Sequence, residues 1–476
     1  MFKNKPVIAA SLIVVSAIAS CKVPEIVQRT ENRTVPTTYS GNEDSTNMTS
    51  IQWRSFFTDK NLVDLVDTAL KNNQELMITS QEVELTRNEI RMRHGALLPT
   101  VGARLGVGVE KVGRYTSQGA GDKSTEIEPG KEVPDALTDI TAEGYARWEV
   151  DIWRKLRNAK QAAVTRFLAS VEGRNFAVTN LVSEVATSYY ELLALDTQLD
   201  IVRQNIELQK NALEIVKVQK EASRVTELAV QKFQAEVLKS QSLEFELLQK
   251  IQETENRINF LCGRYPGEIP RNKSTLLALM PAAVNSGIPS QLLASRPDIK
   301  QAELELAASK LDVKVARAEF YPSFGISAAL GFQAFKPAYL IKFPESVLYS
   351  LAGDLAGPLV NRNAIKAEFY SANVRQVQAM YNYERTILNA YMEVSTELSR
   401  ISNLEKNYQL KSRQVDALSR SIDISNDLFK SARADYFEVL MTQRDALEAK
   451  LELVETKKEQ LNAVVSIYRN LGGGWR

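Results

Sequence analysis

One segment of the chain alternates between apolar and polar residues over thirteen positions, and this pattern restricts the fold more than any other feature. In ITAEGYARWEVDI, residues 140–152, the even positions are small or apolar and the odd positions are polar or charged. Period-two alternation is typical of a β-strand with one apolar and one polar face. A tilted strand of roughly 9–11 residues crosses a bilayer. The segment therefore predicts a membrane-spanning strand.

Three further segments carry the same alternation: Val101–Val109, Ser323–Gln333 and, more weakly, Ser346–Leu355. Apolar outside and polar inside is the pattern of an outer-membrane barrel around water. We therefore expect Trp148 and Val150 to face lipid. The side chains predicted to face a wet barrel lumen are Glu143, Arg147, Glu149 and Asp151.

Four strands do not span a membrane alone, because the edges of an open sheet leave unpaired N–H and C=O groups in hydrocarbon. The usual closed barrels have about eight strands or more. The chain must therefore oligomerise, with each copy donating its four strands. A dimer and a trimer both satisfy this requirement.

The chain repeats one plan twice. LLPTVGARLGVGV at 97–109 is echoed by FYPSFGISAALGF at 320–332, and SRVTELAVQKFQAEVL at 223–238 by ARADYFEVLMTQRDAL at 432–447. Each half reads strand, loop, strand, long helix, break and shorter helix. A repeat in this order predicts two structurally equivalent halves.

Long helices account for most of the length. Apolar residues recur every three or four positions through 155–222 and again through 364–431, which predicts two amphipathic helices of about 100 Å each. Shorter helices are expected at about 225–261 and 435–470. A soluble coiled-coil rod would have the same helices, but the alternating strands argue against a rod.

The N-terminus is a predicted export signal. Residues 1–20 combine Lys3 and Lys5 with an apolar stretch and small residues at the end, as signal peptides do. Cys21 directly follows Ile-Ala-Ser, which resembles the bacterial lipobox and implies a lipid on Cys21. Lys22 in the next position favours the outer membrane by analogy. An ordinary signal peptide with a chance cysteine is the alternative.

Enzymatic and nucleic-acid functions find no support. The net charge is +1, His94 is the only histidine, and the chain has neither a P-loop nor a CxxC pair. We predict no catalytic residues, no metal site and no cofactor apart from the lipid on Cys21. We interpret Cys262 as a small apolar residue at a helix end, and His94 as a helix-end residue.

Several motifs resemble those of one known family. SRPDIKQAELELAASKLDVKVARAEFYPSF, residues 295–324, is similar to a stretch of TolC-like outer-membrane efflux proteins, and LGGGW, residues 471–475, resembles the ending of their NodT/OprM-type lipoprotein subgroup. WRSFFTDKNLVDLVDTALKNNQEL near the mature start and LCGRYPGEIP fit the same family. The resemblance covers essentially the whole mature chain.

The resemblance implies a mixed α/β membrane protein that forms a homotrimer. Twelve strands would form one outer-membrane β-barrel, and twelve helices would continue it as a periplasmic α-barrel. The implied function is the exit duct of a tripartite efflux system, with an inner-membrane RND-type pump and a periplasmic adaptor (membrane fusion protein) as partners. No nucleic-acid partner is expected.

The predicted segments follow from this plan. They are the signal peptide 1–20, an N-terminal equatorial segment with the first helix 21–98, the first β-hairpin 99–152, the first helical hairpin 153–262, an equatorial linker with a helix 263–319, the second β-hairpin 320–358, the second helical hairpin 359–471 and the tail 472–476.

The resemblance also assigns functional residues at the two helix–helix breaks. The predicted adaptor-contact tips are Arg224, Val225, Thr226, Arg433, Ala434 and Asp435. The family usually has glycine at these turns, and here both copies lack it. The resemblance places a gate just before the second tip, where Asp423 and Asp427 share a helix face and Lys430 and Arg433 are possible partners. A solvated charged helix surface is the alternative.

Two other functions fit parts of the pattern. A lipid-anchored coiled-coil scaffold would bind partners without conducting, and a type I secretion duct would pass proteins. The alternating strands oppose the first, and the lipobox with LGGGW favours the pump-linked subgroup over the second.

Lipidation is testable by mass spectrometry of the mature N-terminal peptide. We expect the wild-type peptide to begin at Cys21 and to carry acyl chains, because the thiol and the new amino group are their attachment points. Cys21→Ser should lose them, whereas the control Cys262→Ser should keep them. An unmodified wild-type peptide would contradict the prediction.

Overall fold

The computed structural model describes residues 23–26, 29–39, 51–273, 275–281, 286–357, 362–431 and 433–475. The chain divides into two compact units. The sheet unit contains Leu85–Phe167 and Leu304–Met380, together with the segment before Glu31. The helical unit contains Glu31–Glu84, Leu168–Glu303 and Tyr381–Arg476.

Helices dominate the described ranges. In chain order they are α1 (Trp53–Phe56), α2 (Lys60–Asn72), α3 (Gln74–Gly95), α4 (Ser117–Ser124), α5 (Lys155–Glu221), α6 (Glu227–Leu261), α7 (Leu292–Ser295), α8 (Pro297–Ala318), α9 (Asn363–Lys430) and α10 (Tyr436–Asn470). The strands are β1 (Thr100–Glu110), β2 (Glu126–Glu128), β3 (Lys131–Glu132), β4 (Leu137–Val150), β5 (Ser323–Ala334) and β6 (Val347–Ala356).

The sheet unit is built on one antiparallel sheet with the order β1-β4-β5-β6. Its register pairs apolar with apolar residues across all three ladders: Leu105 lies opposite Ala142, and Phe332 lies between Ala142 and Val347. The same register places the charged residues of β4 on the other face. A slip of one residue would exchange the two faces, so the alternation itself fixes the pairing. The four predicted strands are confirmed.

Two details of the sheet unit differ from the sequence prediction. The central strand covers Leu137–Val150 and not 140–152, because a turn begins where the N–H of Ile152 donates to the carbonyl of Val150 (2.8 Å). The connection from β1 to β4 also contains α4 and the small hairpin β2-β3. Its sequence has no periodicity long enough to predict these short elements.

Aromatic contacts hold the residues that directly precede β5. Phe320 is buried and packs edge-to-face on Phe369, with ring centroids 5.6 Å apart. Tyr321 stacks on Trp153, whose indole N–H donates to the carbonyl of Pro322 (2.8 Å). The FYPS motif therefore joins the start of β5 to the turn that follows β4.

The long helices end close to the predicted positions. α5 has 67 residues and α9 has 68, so each is about 100 Å long. His94 lies in the last turn of α3, and Cys262 is the buried residue that ends α6, as the sequence predicted. No helix in the described ranges has both the length and the hydropathy that a bilayer crossing requires.

Two distant motifs meet in the helical unit. The Ser295 hydroxyl donates to the carbonyl of Leu471 (2.7 Å), and the Arg296 guanidinium donates to the carbonyl of Asn470 (3.0 Å). Arg296 is buried and is neutralised by Asp298 and Glu393, each 2.7 Å away. The SRPD and LGGGW sequences are thus two sides of one contact.

The glycines of LGGGW are required by this contact. Gly472 has φ +95°, and a Cβ there would lie 2.6 Å from the carbonyl oxygen of Ser295. A Cβ on Gly473 would lie 2.4 Å from a ring atom of Tyr468. The Tyr468 hydroxyl in turn donates to the carbonyl of Ile51 (2.6 Å). The chain end is therefore held by backbone contacts that a side chain would block.

We expect Gly472→Ala to lower the free energy of unfolding by about 2–3 kcal/mol, because it adds backbone strain and a steric clash. The measurement is the thermal unfolding midpoint of the purified protein. Gly267→Ala is the matched control, since a Cβ at Gly267 would meet no atom within 4 Å. Equal midpoints for both variants would show that the contact contributes nothing.

Candidate functional site

The polar face of the sheet carries charged side chains at matched positions. Glu143 of β4 lies opposite Arg104 of β1, with 3.9 Å between the charged atoms. The Arg147 guanidinium lies 5.6 Å from the ring centroid of Tyr145. The Glu149 carboxylate forms an ion pair with Lys155 (2.8 Å). Cross-strand pairing thus collects polar groups on the face opposite the apolar residues.

Asp151 does not belong to this face, which corrects the sequence prediction. It follows the last residue of β4, and its side chain is only 5% exposed. Its carboxylate accepts hydrogen bonds from the backbone N–H groups of Leu156 (3.0 Å) and Arg157 (2.9 Å). A carboxylate in this position stabilises the start of a helix. Asp151 therefore caps the start of α5.

Two carboxylates at the sheet were not among the predicted lumen residues. Asp139 of β4 accepts a hydrogen bond from the Gln333 amide of β5 (2.9 Å). Asp354 of β6 lies opposite Gly325, which also lies opposite Glu149. Applying the same two-residue alternation to β6 would have placed Asp354 on the polar face.

Two connections of the sheet unit are joined at Glu128. They are residues 111–136 between β1 and β4 and residues 335–346 between β5 and β6, and we call them the outer connections. Its carboxylate accepts hydrogen bonds from the ammonium of Lys336 and the hydroxyl of Tyr339 (2.5 Å), and forms an ion pair with Lys131 (2.9 Å). Glu128 lies between β1 and β4, whereas Lys336 and Tyr339 lie between β5 and β6. The hydrogen bonds from Lys336, Tyr339 and Lys131 lower the pKa of Glu128 to about 2.

The first helix tip is a glycine-free turn between α5 and α6. Ser223 has φ +57°, the left-handed conformation that glycine usually supplies. The N–H of Ser223 donates to the carbonyl of Lys220 (2.8 Å), and the N–H of Arg224 to that of Gln219 (2.9 Å). This is a Schellman motif with serine in the glycine position. The missing glycine therefore leaves the usual turn geometry intact.

The second tip closes with the corresponding hydrogen bond. The N–H of Arg433 donates to the carbonyl of Leu428 (2.8 Å), as that of Arg224 does at the first tip. The Asp435 side chain accepts hydrogen bonds from the N–H groups of Phe437 and Glu438 and so caps α10. Arg433 and Asp435 are exposed, and Ala434 is half-buried.

Both tips rest on one apolar cluster in the helical unit. It combines residues from the ends of all four long helices: Leu213, Val216, Ala229, Val230, Phe233, Val237, Val439 and Leu440, with Phe429 and Tyr436 at its margin. Val225 also packs on it, and Arg224 and Thr226 are exposed. The structure thus brings the two predicted tips together on a shared core.

The predicted gate residues lie on α9 just before the second tip. Asp427 pairs with Lys430 over 3.6 Å, and their side chains are 80% and 64% exposed. Asp423 is exposed and has no ion-pair partner in the described ranges of the chain. Arg433, the other possible partner, does not pair with either aspartate within the described residues. The gate itself stays a prediction.

Cys21, the predicted lipidation site, lies outside the described residues.

The sheet with one apolar face, the charged opposite face and the paired long helices define the class of outer-membrane channel proteins. A profile of the family described as outer membrane efflux protein matches residues 65–264 and 288–473. The chain therefore belongs to the outer membrane efflux protein family. It is an efflux channel protein of the outer membrane.

Individual proteins agree with this assignment. The pyoverdine export outer membrane protein OpmQ of Pseudomonas aeruginosa is 29% identical over 426 residues, which cover 89% of this chain and 88% of OpmQ. The probable outer membrane lipoprotein SilC of Salmonella typhimurium is 26% identical over 430 residues, with 89% and 88% coverage. The open-state MtrE outer membrane channel of Neisseria gonorrhoeae has the same fold, with TM-score 0.82, 20% identity and coverage of 96% and 98%.

We predict that the hydrogen bonds of Glu128 keep the outer connections together at mildly acidic pH. A carboxyl pKa below its unfolded value stabilises the folded state above the unfolded pKa, and this stabilisation is lost as the pH falls through about 2. The protection factors of residues 126–132 and 336–342, which are exchange rates corrected for the intrinsic effect of pH, should therefore be equal at pH 7 and pH 5. Glu128→Gln should lower these protection factors several-fold at both pH values.

Glu126→Gln is the control, since Glu126 lies on the same short strand and its carboxylate accepts a hydrogen bond from the backbone N–H of Gly130, which a glutamine oxygen can also accept. Low protection of these residues in the wild type at pH 7 would contradict the Glu128 contact. Equal protection in the Glu128→Gln and Glu126→Gln variants would also contradict it.

Proposed function

We propose that three copies of this chain form the exit duct of a tripartite efflux system that passes small molecules out of the cell. The observation that carries the proposal is the register-matched sheet, which has one apolar face and one charged face. Such a sheet suits a boundary between hydrocarbon and water. The charged face, with Glu143, Arg147 and Glu149, would line the lumen.

Trimerisation is supported by the edges of the sheet. Within the described part of one chain, β1 and β6 each have a single neighbouring strand. Their free N–H and C=O groups would be costly in hydrocarbon unless further strands pair with them. Two copies would give eight strands and three would give twelve. The family resemblance selects the trimer.

The partners follow from membership of the family. We propose that an inner-membrane RND-type pump delivers the cargo and that a periplasmic adaptor connects the pump to the helix tips. The tips are suitable because Arg224 and Arg433 are exposed at turns held by a common apolar cluster. The protein would supply a passage and catalyse no reaction.

A lipid on Cys21 would add a second attachment to the membrane. The proposal rests on the lipobox-like sequence before Cys21 and on the similarity to SilC, a relative named as an outer membrane lipoprotein. Several acyl chains together bind a bilayer firmly, since each buried methylene adds to the affinity.

A gate near the second tip is supported by the charges on α9. Asp423 and Asp427 lie four residues apart on one helix face, and both are exposed in the single chain. Three copies would form rings of carboxylates, which hinder and select passage through a pore.

Single-channel conductance in planar bilayers tests both the duct and the gate. We expect rare or small openings from the wild-type trimer. The double variant Asp423→Ala/Asp427→Ala should show several-fold larger or more frequent openings, because it removes the charge rings at the constriction.

Glu405→Ala is the control for the gate. Glu405 is exposed and lies 18 residues before Asp423, which places it on the same face of α9 about 27 Å away. Equal conductance in all three proteins would agree with the duct but would show that these aspartates are not its gate. A folded trimer that forms no channel would contradict the duct and would favour the lipid-anchored scaffold.

A further inference from the structure

The two helix tips share a feature that the chain repeats at a spacing of 209 residues. Arg224 corresponds to Arg433, and Leu228 corresponds to Phe437. At both tips the large apolar residue comes four positions after the arginine, in the first turn of the next helix. An arginine followed by a large apolar residue thus occurs at both tips.

Neither arginine forms an ion pair with another described residue, although charged neighbours of both are paired. At the first tip Lys220 pairs with Glu227, and at the second Lys430 pairs with Asp427. Within the described residues, neither arginine has a carboxylate within 4.0 Å, and this includes the nearby Glu221 and Glu438. Each tip therefore presents one exposed guanidinium that no described carboxylate of its own chain neutralises.

The apolar residue next to each arginine is also uncovered. Leu228 is 58% exposed and Phe437 is 55% exposed. Two positions further on, Val230 and Val439 are buried in the tip cluster. Leu228 and Phe437 thus point away from a core that was available to them. Arginine and aromatic side chains such as that of Phe437 are enriched in protein–protein interfaces.

The backbone at each arginine is fixed. The N–H of Arg224 donates to Gln219 and that of Arg433 to Leu428, so both residues are held in the turn while their side chains remain free. A fixed attachment point reduces the entropy that is lost on binding. The planar guanidinium also suits two parallel hydrogen bonds to one carboxylate, which an ammonium group does not form.

We propose that Arg224 and Arg433 each bind a carboxylate on the adaptor, next to an apolar side chain that packs on Leu228 or Phe437. The inference rests on the proposed function and adds the chemistry of the partner: adaptor helix ends that carry Asp or Glu within one turn of an apolar residue. The two tips then recognise the adaptor by the same contact.

Photo-cross-linking in cells tests this contact with the full-length protein. A photoreactive phenylalanine replaces Leu228 or Phe437, and the cross-linked peptides are identified by mass spectrometry. We expect peptides from an adaptor helix end that contains Asp or Glu. Their yield should fall about tenfold or more in Arg224→Glu/Arg433→Glu, since like charges then face each other.

Two comparisons separate charge recognition from general damage. Arg413→Glu reverses one charge at an exposed arginine on α9, so it matches each single substitution of the pair, and it should leave the yield unchanged. Replacing the identified adaptor carboxylate by arginine should restore the cross-link to Arg224→Glu/Arg433→Glu. Trimer content of the outer membrane is measured in every strain, and yields are compared per trimer.

The outcomes distinguish this inference from the proposed function. Adaptor peptides whose yield is unaffected by Arg224→Glu/Arg433→Glu would overturn the charge contact and leave the adaptor as partner. Cross-links to peptidoglycan fragments, or no adaptor peptides from either position, would overturn both the contact and the proposed use of the tips.

Discussion

The free edges of β1 and β6 are the constraint on which the rest of the architecture depends. A four-stranded sheet with one fully apolar face is suited to hydrocarbon, but its unpaired edge groups are not. The chain therefore needs copies of itself before its sheet can enter a membrane. The alternation of β4 makes this possible, because a single register places the apolar residues of all four strands on one face. The N–H and C=O groups at the edges of β1 and β6 then remain available to the strands of other copies.

Side-chain hydrogen bonds fix the ends of the elements that the alternation specifies. Asp151 caps the start of α5 just after β4 stops, and Trp153 binds the FYPS segment that leads into β5. In the helical unit, Ser295 and Arg296 bind the carbonyls of Leu471 and Asn470, which directly precede the C-terminal glycines. The motifs that characterise the family are thus contacts between distant segments and not chemical groups for catalysis. Their role is to place strands and helices that carry the polar face and the tips.

Internal repetition explains why the tips resemble each other. The two halves place an arginine and a large apolar residue at equivalent positions, on turns that close by the same hydrogen bond. The turn does not require glycine, since Ser223 adopts the left-handed conformation. Each half also contributes residues to the cluster beneath the tips, so the two turns share one support. Repetition therefore yields two similar surfaces on a common base.

The sequence by itself determined the four long helices, the four strands and their apolar faces, because periods of 3.6 and 2 residues are properties of local backbone geometry. It also determined the positions of the two tips. Only the tertiary structure decided that Asp151 caps a helix, that Glu128 joins two outer connections and that Arg224 and Arg433 have no ion pair among the described residues. The Asp151 cap depends on a local turn of the backbone, and the Glu128 contact depends on which side chains meet across distant segments. Sequence periodicity carries no information about either.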